Sequence, residues 1–451
     1  MIRVPLPTCR RGFATLLVFG VIVIAAVIIG MIQSSAYGQA GAGRESMSRV
    51  RAYWAARAGL EETIARLEAA TEDPNQDNAY QALDDMTQAA TGRVAGASWR
   101  IASTDGKSEV LGPADAHAKI NVNSPDSSVL LNIEPFMSES AVDSIKDWID
   151  ADDDINLQGA ELTYYLTLEN GYQPRNAPMR SIAELELVAD IEQRDVRAED
   201  WNLNGILDPN EDDGDLSWPP DNADGILDQG WSGILTASSV DGGLAASGQQ
   251  PLDLSTATEA DVAARVSISA DQAKVIVEYV ANATAPTMGD FIRRDLNQLR
   301  QITARQQGQQ ATGQQRVTPL NTDELRVLID EATIGPGADA GAGRLPGKLN
   351  INTCAAETVQ YLPGMTPELA DAIIAERSGK AGGFTSIVDL LEVPGMSRAQ
   401  LSQLNDLLCV RSNVFSVTCR GRDDTTGLEV EIRADLDRSS LPVSLSGVMV
   451  R

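Results

Sequence analysis

The residues best placed to do chemistry are carboxylates and amides gathered in one stretch. Between Asp195 and Asp228 stand eleven acids and a single base, Arg197, so this stretch carries -10 of a formal net charge of -28. Within it, Asp200-x-Asn202-x-Asn204-Gly205 is followed by Asp208 and Glu211. Side-chain oxygens then fall at positions 1, 3, 5, 9 and 12 of a twelve-residue loop, with glycine at position 6 for the sharp turn. Hard oxygen donors at that spacing suit Ca2+, with the Ile206 carbonyl as seventh-position ligand and Leu207 pointing inward. A second, degenerate copy runs through Asn222, Asp224, Gly225 and Asp228, but Pro220 and Trp231 fill its first and last positions. Acids this close repel unless a cation or salt screens them, which favours calcium over a merely solvated loop. Gly214 and Pro219-Pro220 break the helix that would complete a helix–loop–helix hand, so an isolated loop is expected. Asp147, Asp150, Asp152, Asp153 and Asp154, at a predicted helix end, form a weaker candidate.

Other chemistries find no support. There is no G-x-S-x-G turn, Walker A loop or H-E-x-x-H, and the single histidine, His117, reads as structural, so no enzyme is expected. Four cysteines, one of them Cys9, make neither a dense disulfide scaffold nor a four-thiolate zinc site in the soluble part. Cys354 starts one predicted hairpin and Cys409 ends the next, so these two could pair, leaving Cys419; the residues do not say which pair forms. With 451 residues, 43% of them hydrophobic, there is material for two or three domains with cores of their own.

The elements that must carry these sites begin with one long helix. Phe13–Ile32 is uncharged and apolar, long enough to cross a bilayer. Arg3, Arg10 and Arg11 precede it, which places the N-terminus in the cytoplasm and the rest outside. The run is longer than a usual signal-peptide core, and SSAYGQ is a poor cleavage site. Helical periodicity continues through Val50, Tyr53, Trp54, Leu60, Ile64 and Leu67, with Arg57 on the same stripe. No proline interrupts it before Thr71, so one helix is predicted from Phe13 to about Ala70, with Gly38, Gly41 and Gly43 able to bend it. Strand patterns follow over Ser98–His117 and return at Val414–Arg420, Leu428–Leu436 and Leu441–Val450.

The helical material between the strands carries an internal echo. Lys119–Asn123 is KINVN and Lys348–Asn352 is KLNIN, each leading into a helix-type run. Leu362-Pro363-Gly364-Met365 and Val393-Pro394-Gly395-Met396, each followed by apolar residues at helical spacing, read as two helix-hairpin-helix units, with a weaker hairpin at Val266–Ser269. Asp241–Gln250, Gln301–Gln315 and Gly335–Gly343 have linker composition. Helix-hairpin-helix units can bind DNA through turn amides. Here the second glycine is missing from both turns, and seven acids against five bases from Lys348 to Ser412 leave no positive surface, so packing and protein contact are favoured.

Arg10-Arg11-Gly12-Phe13 followed by the apolar run resembles the type IV pilin and pseudopilin family. The resemblance implies that a prepilin peptidase cuts after Gly12 and methylates Phe13, and that the stalk stays in the inner membrane with a periplasmic head. Leu17 stands where the family usually has the glutamate that pairs with a neighbouring amine, a departure typical of the K-type minor pseudopilin of type II secretion. Asp147–Asp153, Gly159-Ala160-Glu161, Tyr164-Tyr165, Tyr172, Asn176 and Ser181–Val188 extend the likeness.

The implied fold is α+β, a pilin-like long helix on a small antiparallel sheet interrupted by a large helical insertion of helix-hairpin-helix or SAM-like type. The expected order is a leader (1–12), a transmembrane half-helix (13–36), a pilin-like helix with first strands (37–118), and a first helical half (119–195). An added acidic calcium segment (196–250), a helical segment with linkers (251–347), tandem hairpins (348–412) and closing strands (413–451) follow. The implied role is to start or cap a pseudopilus with other minor pseudopilins. Calcium is known in that family's helical domain; no nucleic acid is expected. Alternatives are a membrane-tethered DNA-uptake protein using the hairpins, or a calcium-dependent anchored adhesin.

Overall fold

The computed structural model describes residues 11–104, 109–124, 129–133, 137–307, 316–335 and 345–451. Helix α1 spans Arg11–Glu72 without a break, so the three glycines do not end it. Its N-terminal stretch is apolar enough to cross a membrane, with mean hydropathy 3.0 and none of that window buried within the protein. The C-terminal part lies on a sheet. A short helix, α2 (Gln81–Gln88), leads into β1 (Thr91–Val94), β2 (Ala97–Thr104), β3 (Glu109–Leu111) and β4 (Ala114–Asp115). The last strands are β5 (Val414–Asp423), β6 (Glu429–Asp437) and β7 (Ser444–Val450). The sheet order is β1-β2-β5-β6-β7, with β3 also on β2 and β4 also on β5, and every pairing is antiparallel. Strands from the two ends of the chain are thus direct neighbours, Ile101 opposite Cys419 and Ala97 opposite Asp423. The α+β architecture with an interrupting helical insertion is as read from the sequence; most of the expected linker 335–343 lies outside the described residues.

The face that α1 offers the sheet keeps the expected Tyr53, Leu60, Ile64 and Leu67 but departs from the expected stripe at Val50 and Trp54. Ala52, Ala55, Ala56, Leu60, Ile64, Leu67 and Ala70 are buried, whereas Val50 is 50% and Trp54 60% exposed. The reason is the closeness of the packing. A Cβ on Gly421 of β5 would stand 2.0 Å from the Ala52 carbonyl oxygen, and one on Gly59 of α1 would stand 2.4 Å from the Trp99 ring. At Gly421 helix and sheet meet backbone to backbone and Gly59 makes room for the Trp99 ring. Small residues therefore take the inner positions there, Val50 and Trp54 turn outward, and Leu60, Ile64 and Leu67 fill the core further along. The sheet supplies Ile101, Phe415, Val417, Cys419, Ile432, Ala434 and Leu436 to this core.

A second, larger core runs from Ile120 to Val410 and holds the helical region. The KINVN/KLNIN echo is a true structural repeat. Ile120–Asn121 bridges Leu235–Thr236 in parallel, and Leu349–Asn350 bridges Leu408–Cys409 likewise. Asn121 donates to Ser239 Oγ (2.9 Å), and Asn350 donates to Ser412 Oγ (2.8 Å). Asn123 exchanges hydrogen bonds with the Met179 backbone, as Asn352 does with Phe384. The match continues from Ser181-Ile182 to Ser386-Ile387, each serine capping a short 3-10 helix. It reaches Asp190 (φ 62°) and Gly395 (φ 95°), which both hold the left-handed turn before a helix. Each asparagine satisfies backbone groups that would otherwise be stranded in a core, and this fixes where the hairpins attach.

Two expected linkers are structured where described. In 241–250, Asp241 pairs with Leu345, and Ser247 bonds Glu331, itself paired with Arg265. Residues 301–306 belong to the helix Leu296–Gln306; 308–315 lie outside the described residues. Gly421→Ala should destabilise the full-length protein in detergent by roughly 3 kcal/mol or more, because the obstructing atoms are backbone. Thermal unfolding measures this; an unchanged midpoint would contradict the close seating of α1.

Candidate metal centre

Helix α3 (Glu139–Ile149) is capped at its start by Ser138 and ends at Asp150. Its last turn brings Asp147 inward, and the chain returns through Gly159 to Glu161. Ligand oxygens of Asp147, Asp150 and Glu161 all lie within 4.8 Å of one another. Asp147 and Glu161 are 0% and 2% exposed. One Asp147 oxygen accepts from the Asn156 backbone amide (3.1 Å), and one Glu161 oxygen from the Leu162 amide (3.3 Å). Asp147 Oδ2, Asp150 Oδ1, Glu161 Oε1 and Asn176 Oδ1 are buried and have no donor. Asn176 is held by its own amide, which bonds the Trp148 carbonyl (3.0 Å). Gly159 is obligatory, since a Cβ there would lie 2.0 Å from Asp147 Oδ2.

The electrostatics point the same way. Burial, reinforced by Asp147, Asp150 and Asp153, pushes the Glu161 carboxyl up to about 7; the Leu162 amide opposes this. Burial, with Asp152 and Asp147, also raises Asp150. Crowded acids without donors are costly unless a cation joins them. Carboxylate and amide oxygens with no sulfur or imidazole are a donor set for a hard cation, Ca2+ above all.

The twelve-residue loop is arranged differently. Asp200 takes the amides of Asn204 (2.9 Å) and Gly205 (3.0 Å), and Gly205 holds φ 68° at the sharp turn. Asn202 Oδ1 accepts from Asn204, and Asn204 Oδ1 from Ile206. Both Asn side chains donate to Asp208 Oδ2 (2.7 and 2.9 Å), while Arg420 of β5 reaches Asp208 Oδ1 (2.9 Å). Glu211 spans the amides of Trp201 and Asp208, and burial raises its carboxyl to about 7. Thus the sequence spacing does bring Asp200, Asn202, Asn204, Asp208 and Glu211 around one turn, yet their oxygens already have donors. Ile206 is buried and Leu207 only half-buried, against the expectation for Leu207, because the segment turns Ile206 into the protein.

The degenerate copy has partners that its own spacing lacks. Glu199 takes the amides of Asn222 (3.0 Å) and Asp228 (3.2 Å), and Asp212 takes that of Gly225 (2.9 Å). Glu199 therefore does for the second loop what Glu211 does for the first, and Asp212 what Asp200 does. No linear spacing reveals this. Likewise, Asn176 reaches the helix-end cluster from a separate turn.

The hairpin turns are closed inward. Gln400 donates to the Gly364 carbonyl (2.7 Å), and Gly364 and Gly395 have φ of 69° and 95°. All five bases of this region have protein partners. Lys348 pairs with Asp241, Lys380 with Glu392, and Arg377, Arg398 and Arg411 donate to backbone carbonyls. A phosphate backbone needs cations aimed at solvent, so DNA binding is not favoured. The cysteines Cys354, Cys409 and Cys419 are free.

Residues 128–198, which include the helix-end cluster, match the family profile described as type II secretion system (T2SS), protein K. Over that stretch the chain is similar to protein K of that system. That family is a structural component of the secretion machine and not an enzyme family. Residues 347–409 match the helix-hairpin-helix motif. A Xenopus laevis protein, endonuclease/exonuclease/phosphatase family domain-containing protein 1, is 40% identical over 65 residues, 14% of this chain and 12% of that protein. The match thus spans about an eighth of that relative's length. The crystal structure of the GspK-GspI-GspJ complex from the enterotoxigenic Escherichia coli type 2 secretion system has a chain matched over 91% of this one and 99% of its own length. Identity there is 12% and the TM-score 0.46, too loose a likeness to carry an argument.

Saturating calcium should raise the unfolding midpoint by about 5 °C. Glu161→Gln should lose most of that increment while leaving the metal-free protein as stable or more so, since one crowded carboxylate is gone. Glu211→Gln reads the acidic loop separately by calcium titration: unchanged stoichiometry and affinity would remove calcium from that loop. Titration with duplex DNA at two salt concentrations should show no tight, steeply salt-dependent binding.

Proposed function

We propose that this protein is a minor pseudopilin of the K type that starts or caps a type II pseudopilus. The observation that carries the reading is the protein K-like segment within a chain whose α1 is apolar and bare at one end and seated on a sheet at the other. The bare end anchors the subunit in the inner membrane and becomes its stalk in the filament, with the N-terminus cytoplasmic and the head periplasmic. A prepilin peptidase cuts between Gly12 and Phe13 and methylates Phe13. Leu17 leaves this stalk without the carboxylate that would pair with a neighbour's amine, which suits a terminal position. Other minor pseudopilins are the partners, meeting the stalk and the outward Val50 and Trp54.

Calcium has a structural role in this reading. Asp147, Asp150, Glu161 and Asn176 would hold it beside the α3 end, and Asp200, Asn202, Asn204, Ile206, Asp208 and Glu211 are the second place to look, with Asn222, Asp224 and Asp228 third. Bound there, the ion neutralises buried carboxylates and ties the loops to the helical core.

Mass spectrometry of the protein purified from membranes tests the assignment. A mature chain starting at methylated Phe13 supports it, and co-purification with other minor pseudopilins extends it. An intact Met1, or a cut near Gln39, would overturn it.

A further inference from the structure

The sheet has a second face, turned away from α1. Along β5 and β6, Phe415, Val417, Cys419, Ile432, Ala434 and Leu436 pack under the helix. By strand alternation Ser416, Thr418, Arg433 and Asp435 point the other way. They form the floor of a cleft of about 560 Å³, walled by Lys119, Arg180, the 200–205 turn and the end of β7. This volume is in the range of small-molecule sites.

The charges in this cleft are unevenly spent. Asp115 is saturated by the His117 amide, Asn350, Thr353 and Ser412. Asp200 is held by the amides of its own loop and by Gln229. Asp435 accepts from Ser416, and burial raises its carboxyl toward the neutral form. Arg197 is paired with Glu186, and Arg451 donates to the Asn202 carbonyl. Lys119 reaches only the Ser232 carbonyl (2.6 Å). Among the described residues Arg433 makes no side-chain hydrogen bond or close ion pair, its charge being felt by Asp435 on the same floor, and the Arg180 side chain makes none either. Arg433 lies directly across the strands from Thr418. Burial pushes the Lys119 ammonium down to about 8; Asp200 opposes this and Arg433 adds to it. Two cations facing one polar cavity, in a chain of net charge -28, repel each other unless an anion sits between them.

We propose that this cleft is a binding site for a small organic anion, whose carboxylate or phosphate is held between Arg433 and Lys119 over Thr418. A guanidinium offers two parallel donors to either group, an ammonium adds a point charge, and the threonine hydroxyl sits beside the guanidinium on the floor. Arg180 at the mouth supplies a further positive charge to an approaching ligand. This site is separate from the acid cluster at the end of α3 and does not depend on the pseudopilin reading.

Calorimetric titration of the full-length protein in detergent with succinate and with glycerol 3-phosphate tests it. Both chelate calcium weakly, so the neighbouring loop is left undisturbed. Saturable binding of either is expected, and the stronger of the two identifies the preferred head group. Arg433→Gln and Lys119→Gln should each weaken binding by about tenfold or more. Arg433→Lys, which keeps the charge, should retain more affinity than Arg433→Gln, and Arg93→Gln, on a remote ion pair, should change nothing. Absence of saturable binding up to ~10 mM of both probes, or binding indifferent to Arg433→Gln and Lys119→Gln in variants with normal thermal unfolding, would overturn the proposal.

Discussion

The structure depends on one close approach, that of the α1 backbone to β5. At Gly421 the sheet backbone lies against that of Ala52 with no room for a side chain, and at Gly59 the Trp99 ring fills the space a side chain of the helix would need. That closeness sets the register of α1 on the sheet and decides which residues are left outside. Because β5 also pairs with β2, the same contact fastens the two ends of the sheet across the whole helical insertion. The insertion in turn rests on its own core, tied by the paired asparagines, so the head has two large hydrophobic centres and a small third one of Ala116, Val240 and Val414.

Much of this architecture was legible in the sequence because the signals were long. A long apolar run, helical periodicity and strands at both ends each speak over many residues, so the α+β class and the interrupting insertion emerge from pattern alone. The inner face of α1 was legible at Leu60, Ile64 and Leu67 but not at Ala52, Ala55 and Ala56, because periodicity arguments weigh bulky residues and the sheet selects small ones there. Val50 and Trp54 carried the pattern and face outward; Ala52, Ala56 and Gly59 carried the contact. The linker expectations failed in the opposite sense. Polar composition at 241–250 looked like freedom, but Ser247 is fastened to Glu331 and Arg265.

Sites were legible only where the ligand spacing is local. The loop from Asp200 to Glu211 folds as a single turn because each Asx side chain binds an amide a few residues ahead. Glu199 and Asp212 join the second loop from outside its span, and Asn176, whose side-chain amide donates to Asp153 (3.3 Å), comes to the α3 end from outside the span of Asp147 to Glu161. Such groups become visible only when buried oxygens are checked for donors. The repeat shows the same principle in a favourable case. Asn123 and Asn352 were visible as an echo, while their shared task of fastening a distant backbone was not.

The pairing of β2 with β5 has a consequence for the order of events during synthesis. β2 ends at Thr104 and β5 begins at Val414, so the whole insertion is made between the two partners. Until β5 emerges, Ala52 and Ala56 lack the Gly421 backbone they seat on, and β2 offers an open edge to any passing strand. The insertion, held by contacts within its own span, can condense earlier. The protein therefore matures from the middle outward, and its sheet is a clasp that closes only after the insertion has been made.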